Sequence, residues 1–319
     1  RNKYEQLVQQ GMTQPFDLEL QLTPFKAELE RIDNYPVFIL ENHLYGVDLD
    51  PQAAELATVN LIMRAMADMP HKDRRLPLIL NQNIKVGNSL IGLGPHDARY
   101  AGHAAALAAM RGLRAELAAE SANDGHDARV ATLDDATSSL RPVLDGHFTK
   151  WFANPEPFHL FHWALEFPEV FLDDDGGVND ARGFDIVVGN PPWEILKPEI
   201  REYYAQFDER IESKLNRPEV EARIAELDAD AAIATGWVAL KARLEAQGSY
   251  FIKSPDYRLQ GKGDQATHKL FLERSYGLLM QKGRLAFVIP SGIYTDLGTK
   301  ALREMLLNEG RIEYLYAFS

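Results

Sequence analysis

The sequence contains no cysteine, which excludes disulfide bonds and metal sites built on thiolates. No apolar run approaches the roughly 20 residues that a membrane-spanning helix needs, so we expect no membrane partner. The absence of cysteine fits the reducing cytoplasm, where we place the protein. Excess positive charge is also missing, because the formal net charge is −13. A domain that grips nucleic acid unaided usually has a basic face, so we expect any hold on DNA to come from elsewhere.

The sequence of 319 residues does contain enough apolar side chains for a sizeable core, at 45% apolar and 10% aromatic residues. Predicted strands alternate with predicted helices along most of its length. The strands are expected at residues 44–47, 83–92 and 184–188, and in the segments RLAFVIP and RIEYLYAF. Asp50 and Pro51 predict the start of the helix that follows the first strand. This alternation predicts an α/β fold with a mostly parallel sheet covered on both faces.

Three stretches are expected to be additions to this sheet. Residues 1–36 are predicted to form a helical lead-in. Residues 96–150 start with an alanine-rich helix and continue into a polar, loose stretch, and we interpret them as a partly mobile insertion. Residues 197–264 are predicted to be a second insertion, helical and charged up to about residue 248 and then a glycine-rich loop. A further helix is expected at residues 266–281, and the whole chain is interpreted as one domain.

Polar residues follow two of the predicted strands at their carboxyl ends, which is where parallel sheets bind ligands. Asp48 ends the first strand, and its carboxylate can accept hydrogen bonds from both hydroxyls of a ribose. Asn88 ends the second strand, and its amide can pair with the edge of a purine. Each residue in isolation also has an ordinary explanation, a capping or helix-dipole role for Asp48 and a turn role for Asn88.

The segment GFDIVVGNPPWEIL carries the most informative motif, Asn190-Pro191-Pro192-Trp193, directly after an apolar strand that we expect to be buried. The Asn190 side chain and the Pro191 carbonyl offer two oxygen acceptors, the second on a backbone whose φ the proline ring fixes. Two acceptors can hold both N–H bonds of an exocyclic NH2 group and free the lone pair of its nitrogen. Trp193 can stack on a flat base, which is worth roughly 1–3 kcal/mol. We expect no general base, because the amine can lose its proton after transfer.

Other features are weaker. The nine histidines show no metal-ligand spacing, and we assign no metal site. The acidic run at residues 171–177 is expected to be a solvated turn. The segment GKGDQATHK holds candidates for contact with a DNA phosphate, which are Lys262, His268 and Lys269. Tyr294 is a candidate for lining a base pocket.

The ordered set of segments resembles the amino-group DNA methyltransferases that make N6-methyladenine, above all the large, Type IIG-like bacterial enzymes of restriction-modification and phage-defence systems. The NPPW motif after an apolar strand resembles their catalytic motif. The resemblance covers most of residues 37–319 apart from the two insertions. The other segments that carry it are LYGVDLDPQAAELATVNL, NIKVGNSLIG, FHWALEFPEVF and HKLFLERSYGLLMQKGRLAFVIPSGIYTDLGTKALREMLL.

The resemblance implies a Rossmann-like, mostly parallel twisted sheet of the S-adenosylmethionine-dependent methyltransferase fold, with helical insertions. The implied binding residues for the cofactor S-adenosyl-L-methionine all follow strand ends, and they are Asp48, Leu49, Asn88, Ser89 and Asn190. Asp48 would bind the ribose and Asn88 would face the adenine ring of the cofactor. The implied catalytic residues form the turn itself, and they are Asn190, Pro191, Pro192 and Trp193. The implied target is the N6 amine of an adenine flipped out of duplex DNA.

Two parts of the family pattern do not occur in the sequence. The first glycine-rich loop, of the DPACGSG kind, should precede Asp48, and we expect it upstream of Arg1. The target-recognition domain is expected beyond Ser319, which fits the acidic charge of the residues present. We therefore interpret the chain as a catalytic core. Its expected partner is double-stranded DNA held by a recognition domain outside this chain, and other restriction or defence subunits are further candidates.

Two alternatives to an adenine-N6 DNA methyltransferase stay open. Asn-Pro-Pro-aromatic turns also occur in methyltransferases that act on RNA bases or on glutamine side chains of proteins. All of these acceptors present a planar NH2-type nitrogen, so the turn does not discriminate between them. The other alternative is a methyltransferase-like module that senses DNA without catalysis, which the missing glycine-rich loop favours.

Overall fold

The computed structural model describes residues 35–67, 79, 82–119, 126–260 and 265–316. The predicted lead-in helix therefore lies almost wholly outside the described residues. The chain divides into two compact units, Arg1–Gly87 and Asn88–Ser319, and each unit has its own parallel strand pair. With helices around these strand pairs, the fold is of the α/β class, with small parallel sheets. No helix in the described part of the chain is long and apolar enough to cross a membrane.

The first unit places a strand pair beside two helices. Its elements are α1 (Tyr35–Asn42), β1 (Gly46–Asp48), α2 (Pro51–Met66) and β2 (Ile84–Val86). β1 and β2 run parallel, with Asp48 opposite Val86. As predicted, Asp50 caps α2 by accepting a hydrogen bond from the Gln52 N–H, and Pro51 is the first helical residue. The buried side chains that hold this unit together are Leu40, Ala54, Ala65, Ile79 and Ile84.

The second unit combines the other strand pair with a larger set of helices. Before its first strand lie a 3₁₀ turn (Ala98–His103), α3 (Ala104–Ala119), α4 (His126–Asp145), α5 (Trp163–Glu166) and α6 (Pro168–Phe171). Between β3 (Phe184–Gly189) and β4 (Leu279–Phe287) lie α7 (Ile200–Ala205), α8 (Arg210–Ser213), α9 (Arg217–Leu227), α10 (Ala231–Lys253) and α11 (Thr267–Gly277). After β4 follow α12 (Gly292–Thr295) and α13 (Lys300–Asn308). β3 and β4 are parallel, with Gly189 opposite Phe287.

The two insertions contain more helix than the sequence suggests. In the first, the stretch expected to be loose is helix α4 from His126 onward, because Leu133, Leu140 and Leu144 recur at helical spacing and are buried. In the second, α10 continues past residue 248 to Lys253, where a loop is expected. The expectation is wrong in both places because one buried apolar stripe is enough to hold a helix whose other faces are polar.

The strands also differ from expectation. β3 is expected to be buried, yet Ile186 and Val188 are 61% and 71% exposed. The reason is that β4 is the only strand that pairs with β3 in the described part of the unit. Residues 311–316 are expected to be a strand but have no regular structure, because no described strand pairs with them. The helix before β4 ends at Gly277 rather than at residue 281.

Aromatic side chains hold the start of β3 in the second unit. The ring of Phe184, the first residue of β3, makes edge-on contacts with Trp163, Phe167 and Phe171 at centroid distances of 6.3, 6.3 and 5.3 Å. These three residues are buried and come from the segment FHWALEFPEVF. Edge-on pairs of this kind contribute roughly 0.5–1.5 kcal/mol each beyond their buried area. These contacts fix the start of β3, and thereby also the direction in which the strand runs toward Gly189.

His162 is a buried histidine with both ring nitrogens in use. Its Nδ1 accepts a hydrogen bond from the Leu93 N–H at 3.1 Å, so its proton lies on Nε2, which donates to Asp145 Oδ1 at 2.9 Å. Burial lowers the pKa of His162, although the neighbouring Asp145 carboxylate acts in the opposite direction. The neutral imidazole therefore ties the chain at Leu93 to the end of α4.

We predict that the protein loses stability through His162 as the pH falls below about 6.5. Because the pKa of His162 is lowered in the folded state, the unfolded chain binds the proton first. The stabilisation is therefore complete above the unfolded pKa and is lost as the pH falls toward the folded pKa. Urea unfolding at pH 7.5 and pH 5.5 should show a smaller loss for His162→Gln than for the wild type, and equal losses would contradict the assignment.

Candidate active site

The turn Asn190–Trp193 follows β3 directly, because β3 ends at Gly189. Asn190, Pro192 and Trp193 are exposed, whereas Pro191 is buried. Two consecutive prolines have no N–H to continue the pairing with β4, so the chain leaves the sheet at this point. The four predicted catalytic residues therefore lie together at the carboxyl end of a parallel strand, three of them exposed and Pro191 buried.

The carbonyl groups around this turn are used unequally. The Gly189 carbonyl accepts from the Val288 N–H at 3.2 Å, and the Pro192 carbonyl accepts from the Thr267 hydroxyl at 2.6 Å. Within the described residues, neither the Asn190 side chain nor the Pro191 carbonyl has a hydrogen-bond partner. Both acceptors that the sequence predicts for an NH2 group are thus unpaired within the described residues, and their role stays a prediction.

Trp193 is exposed over about half of its area and makes one hydrogen bond through its indole ring within the described residues. Its indole N–H donates to the Val288 carbonyl, just after the end of β4, at 3.3 Å. The residue is nevertheless 51% exposed. The hydrogen bond fixes the edge of the indole ring and leaves area for a planar group to stack against it.

The loop at Asn88 and Ser89 is held by hydrogen bonds within the second unit. The Asn88 N–H donates to the His159 carbonyl at 2.7 Å, and the Trp163 indole N–H donates to the Ser89 carbonyl at 3.2 Å. The Asn88 side-chain oxygen accepts from the Leu90 N–H at 3.1 Å. Asn88 and Ser89 are half-buried. The engaged oxygen leaves the amide NH2 group of Asn88 as the group that can bind a ligand.

Asp48 ends β1 in the first unit, as predicted, and is exposed together with Leu49. Its Oδ1 accepts from the Asp50 N–H at 2.8 Å, and its main-chain carbonyl accepts from the Gly87 N–H at 2.8 Å. The backbone of Asp48 is therefore fixed by the adjoining strand while its carboxylate faces solvent. A carboxylate held in this way can accept hydrogen bonds from hydroxyl groups.

The sequence matches the family described as Eco57I restriction-modification methylase over residues 42–217 and 244–319. The chain belongs to this family. The match supports DNA methylation within a restriction-modification system, and methylases of this family normally use S-adenosyl-L-methionine. The residues between the two matched stretches lie inside the second predicted insertion. Neither a curated protein nor a solved structure matches the chain.

In this methylase, two residues that the sequence did not single out fix the loop after Asn88. The Tyr257 hydroxyl donates to the Leu90 carbonyl at 2.5 Å, and the Arg274 guanidinium lies 5.0 Å from the Tyr257 ring centroid. Burial raises the pKa of Tyr257 to about 12, so the hydroxyl remains a donor at neutral pH. Helical spacing could have indicated Arg274 from the sequence, because it follows Leu270 by one helical turn on the buried face of α11. Tyr257 lies in a loop and carried no comparable signal.

Two of the three phosphate-contact candidates, His268 and Lys269, do not lie on an exposed loop. The third, Lys262, lies outside the described residues. His268 and Lys269 are buried in the first turn of α11, at 9% and 8% exposure. Tyr294 is exposed on α12, so its predicted contact with a base stays a prediction.

The acidic turn is held by hydrogen bonds and ion pairs with its neighbours. Asp173 accepts from the Asn179 amide at 2.9 Å and from Arg182 at 3.1 Å. Asp174 forms an ion pair with Arg111. In the part of the chain that the structure describes, no group of three acidic or histidine side chains could hold a metal ion.

We predict that Gly92→Ala strongly destabilises this methylase. Gly92 has φ +147°, and a Cβ there would lie 2.0 Å from the Phe161 carbonyl oxygen. The strained backbone and this contact with main-chain atoms should together lower the free energy of unfolding by at least about 2 kcal/mol. Gly102→Ala is the matched control, because a Cβ at Gly102 meets nothing within 4 Å. Urea unfolding checks the difference, and equal stability of the two variants would contradict it.

Proposed function

We propose that this methylase transfers a methyl group from S-adenosyl-L-methionine to the N6 amine of an adenine turned out of duplex DNA. The proposed setting is a restriction-modification or phage-defence system in the cytoplasm. The observation that carries the proposal is the pair of open acceptors, the Asn190 side chain and the Pro191 carbonyl, at the end of a parallel strand. The proposed fold is the Rossmann-like one of S-adenosylmethionine-dependent methyltransferases, which the parallel pairing of both strand pairs supports.

The turn suits an exocyclic amine because its two prolines add carbonyl acceptors without adding N–H donors. Neither Pro191 nor Pro192 therefore supplies a donor that would compete with the amine for these acceptors. Asn190 Oδ1 and the Pro191 oxygen would each accept one N–H of the amine. This arrangement draws the nitrogen toward tetrahedral geometry and makes its lone pair available for attack. The proton that the methylated amine must lose can leave to water afterwards, so no residue with a shifted pKa is needed.

The target base must leave the DNA stack before it can reach such a turn. Extruding a base costs a few kcal/mol. Stacking against an aromatic ring returns roughly 1–3 kcal/mol, so a half-exposed Trp193 offsets much of that cost. Because a hydrogen bond already holds one edge of the indole, the Trp193 side chain loses less conformational entropy when a base stacks on it.

The residues present fit the proposed cofactor by their chemistry. When bound, S-adenosyl-L-methionine supplies a methyl group on a positively charged sulfur, which is already a good leaving group. The exposed Asp48 carboxylate can accept from ribose hydroxyls, and the unbonded NH2 of Asn88 can donate to a purine edge. Leu49 and Ser89 flank these groups and complete the proposed binding residues.

The proposed partner is double-stranded DNA bound through a recognition domain outside this chain, with other restriction or defence subunits as further partners. A net charge of −13 fits a core that does not grip phosphates alone. The family match favours DNA over RNA or protein glutamine as the acceptor. The competing proposal is a methyltransferase-like module that senses DNA without catalysis. A measurement of cofactor binding distinguishes it from the proposed methyltransferase.

We predict that Asn190→Ala lowers kcat for DNA adenine methylation by about a hundredfold or more, because one of the two proposed acceptors for the amine is lost. Incorporation of labelled methyl groups by the full-length protein measures the effect. Asn308→Ala is the matched control, since Asn308 is an exposed asparagine at the end of α13. Undiminished methylation by Asn190→Ala would refute the role of the amide.

We predict that Asp48→Ala weakens S-adenosyl-L-methionine binding by roughly ten- to a hundredfold, the size expected for loss of hydrogen bonds to a charged group. Calorimetry on the full-length protein measures this directly. Asp134→Ala, at an exposed position of α4, should leave the affinity unchanged. If the wild type bound no cofactor at all, the module without catalysis would become the better proposal.

A further inference from the structure

We propose that Thr267 is a positioning residue for methyl transfer, which orients the Pro191 carbonyl by holding the Pro192 carbonyl. This inference rests on the proposed function of the turn Asn190–Trp193. Thr267 is the first residue of α11 and is 6% exposed. Its side chain therefore acts inside the protein and contributes nothing to the surface charge or polarity around the turn.

Thr267 contacts the chain on both sides of Trp193. Its hydroxyl lies 2.6 Å from the Pro192 carbonyl oxygen and 3.2 Å from the Glu194 carbonyl oxygen. Its N–H donates to the same Glu194 carbonyl at 2.9 Å. A hydroxyl has a single proton, so the shorter contact identifies the Pro192 oxygen as its main acceptor. The Glu194 carbonyl is already satisfied by the N–H of Thr267.

The neighbouring residues complete a short two-stranded contact. The Leu196 N–H donates to the Gln265 carbonyl at 2.8 Å, and Ile195 pairs with Ala266 in an antiparallel bridge. The backbone after Trp193 is thus bound to the segment that leads into α11. Without the Thr267 hydroxyl, however, none of these backbone contacts would reach the peptide plane that contains the Pro192 oxygen.

The geometry of two consecutive prolines explains why that plane matters. The Pro191 oxygen and the Pro192 oxygen lie on successive peptide planes that meet at the Cα of Pro192. The proline ring fixes φ of Pro192, so ψ of Pro192 is the one soft torsion between the two planes. A hydrogen bond that fixes the Pro192 oxygen therefore also fixes the direction of the Pro191 oxygen. The proposed catalytic acceptor is oriented by a hydroxyl that need not touch the substrate.

A capping role does not account for this threonine. The N-cap residue of α11 is Ala266, which makes no side-chain cap, and the Thr267 hydroxyl points away from its own helix to a carbonyl 75 residues earlier. Threonines at helix starts usually satisfy N–H groups of their own first turn. Here the hydroxyl acts as a donor to the turn instead.

Thr267→Val, Thr267→Ser and the wild type provide the test, because valine keeps the shape and loses the donor while serine keeps the donor. Methylation kinetics of the full-length protein should show kcat about 10- to 100-fold lower for Thr267→Val with an unchanged KM for the cofactor. Thr267→Ser should recover most of the rate. Thr132→Val, which removes a hydroxyl bonded to its own helix on α4, should leave kcat unchanged.

Hydrogen exchange provides a readout that does not depend on activity. The amides of Leu196 and of residue 267 should exchange faster in Thr267→Val than in Thr267→Ser or the wild type, because the contact loses its central hydrogen bond. If Thr267→Val does not fold, Thr267→Cys replaces it, since a thiol is a weak donor and should give a smaller loss.

The outcomes separate this inference from the proposed function. Wild-type kcat and exchange in Thr267→Val would overturn the positioning role even if the wild type methylates adenine. The positioning role would also be overturned if kcat of Thr267→Ser were as low as kcat of Thr267→Val, because the hydroxyl donor would then make no difference to the rate. Faster exchange in Thr267→Val, together with a wild type that methylates no DNA, would support the anchoring of the turn and refute the proposed function.

Discussion

The course of the chain after β3 depends on the lack of a backbone N–H at Pro191 and Pro192. Two consecutive prolines supply carbonyl oxygens and no N–H, so the pairing between β3 and β4 stops and the remaining oxygens need partners from other parts of the chain. The end of β4 and the start of α11 provide those partners for Gly189 and Pro192. The Pro191 oxygen and the Asn190 side chain have no hydrogen-bond partner within the described residues, and the proposed chemistry uses these two acceptors.

Helix α11 joins the two loops that carry the site residues of the second unit. Its first residue, Thr267, binds the turn through the Pro192 carbonyl. Two turns later, the buried Arg274 stacks on Tyr257 and approaches the Leu90 carbonyl at 3.4 Å, next to the Asn88 loop. A single rigid element therefore sets both the proposed base-binding turn and the proposed cofactor loop, so a shift of this helix would disturb both together.

The sequence predicted the parts of this arrangement that depend on local chemistry. Asp50 and Pro51 indicated the start of α2, and the apolar run before Asn190 indicated β3. The exposure of β3 and the lack of a strand at residues 311–316 depend on which strands pair, which no local pattern reveals. The bond from Tyr257 to Leu90 joins residues 167 positions apart, and such contacts become visible only once the chain is folded.

The central claim is that Asn190 and Pro191 hold the reacting amine. A crystal structure of the full-length protein with duplex DNA containing its target and a non-transferable cofactor analogue tests this most directly. The account predicts an extruded adenine whose N6 lies within about 3.2 Å of both Asn190 Oδ1 and the Pro191 oxygen. An adenine that stays stacked in the duplex, or one whose N6 is bound by other groups, would contradict it.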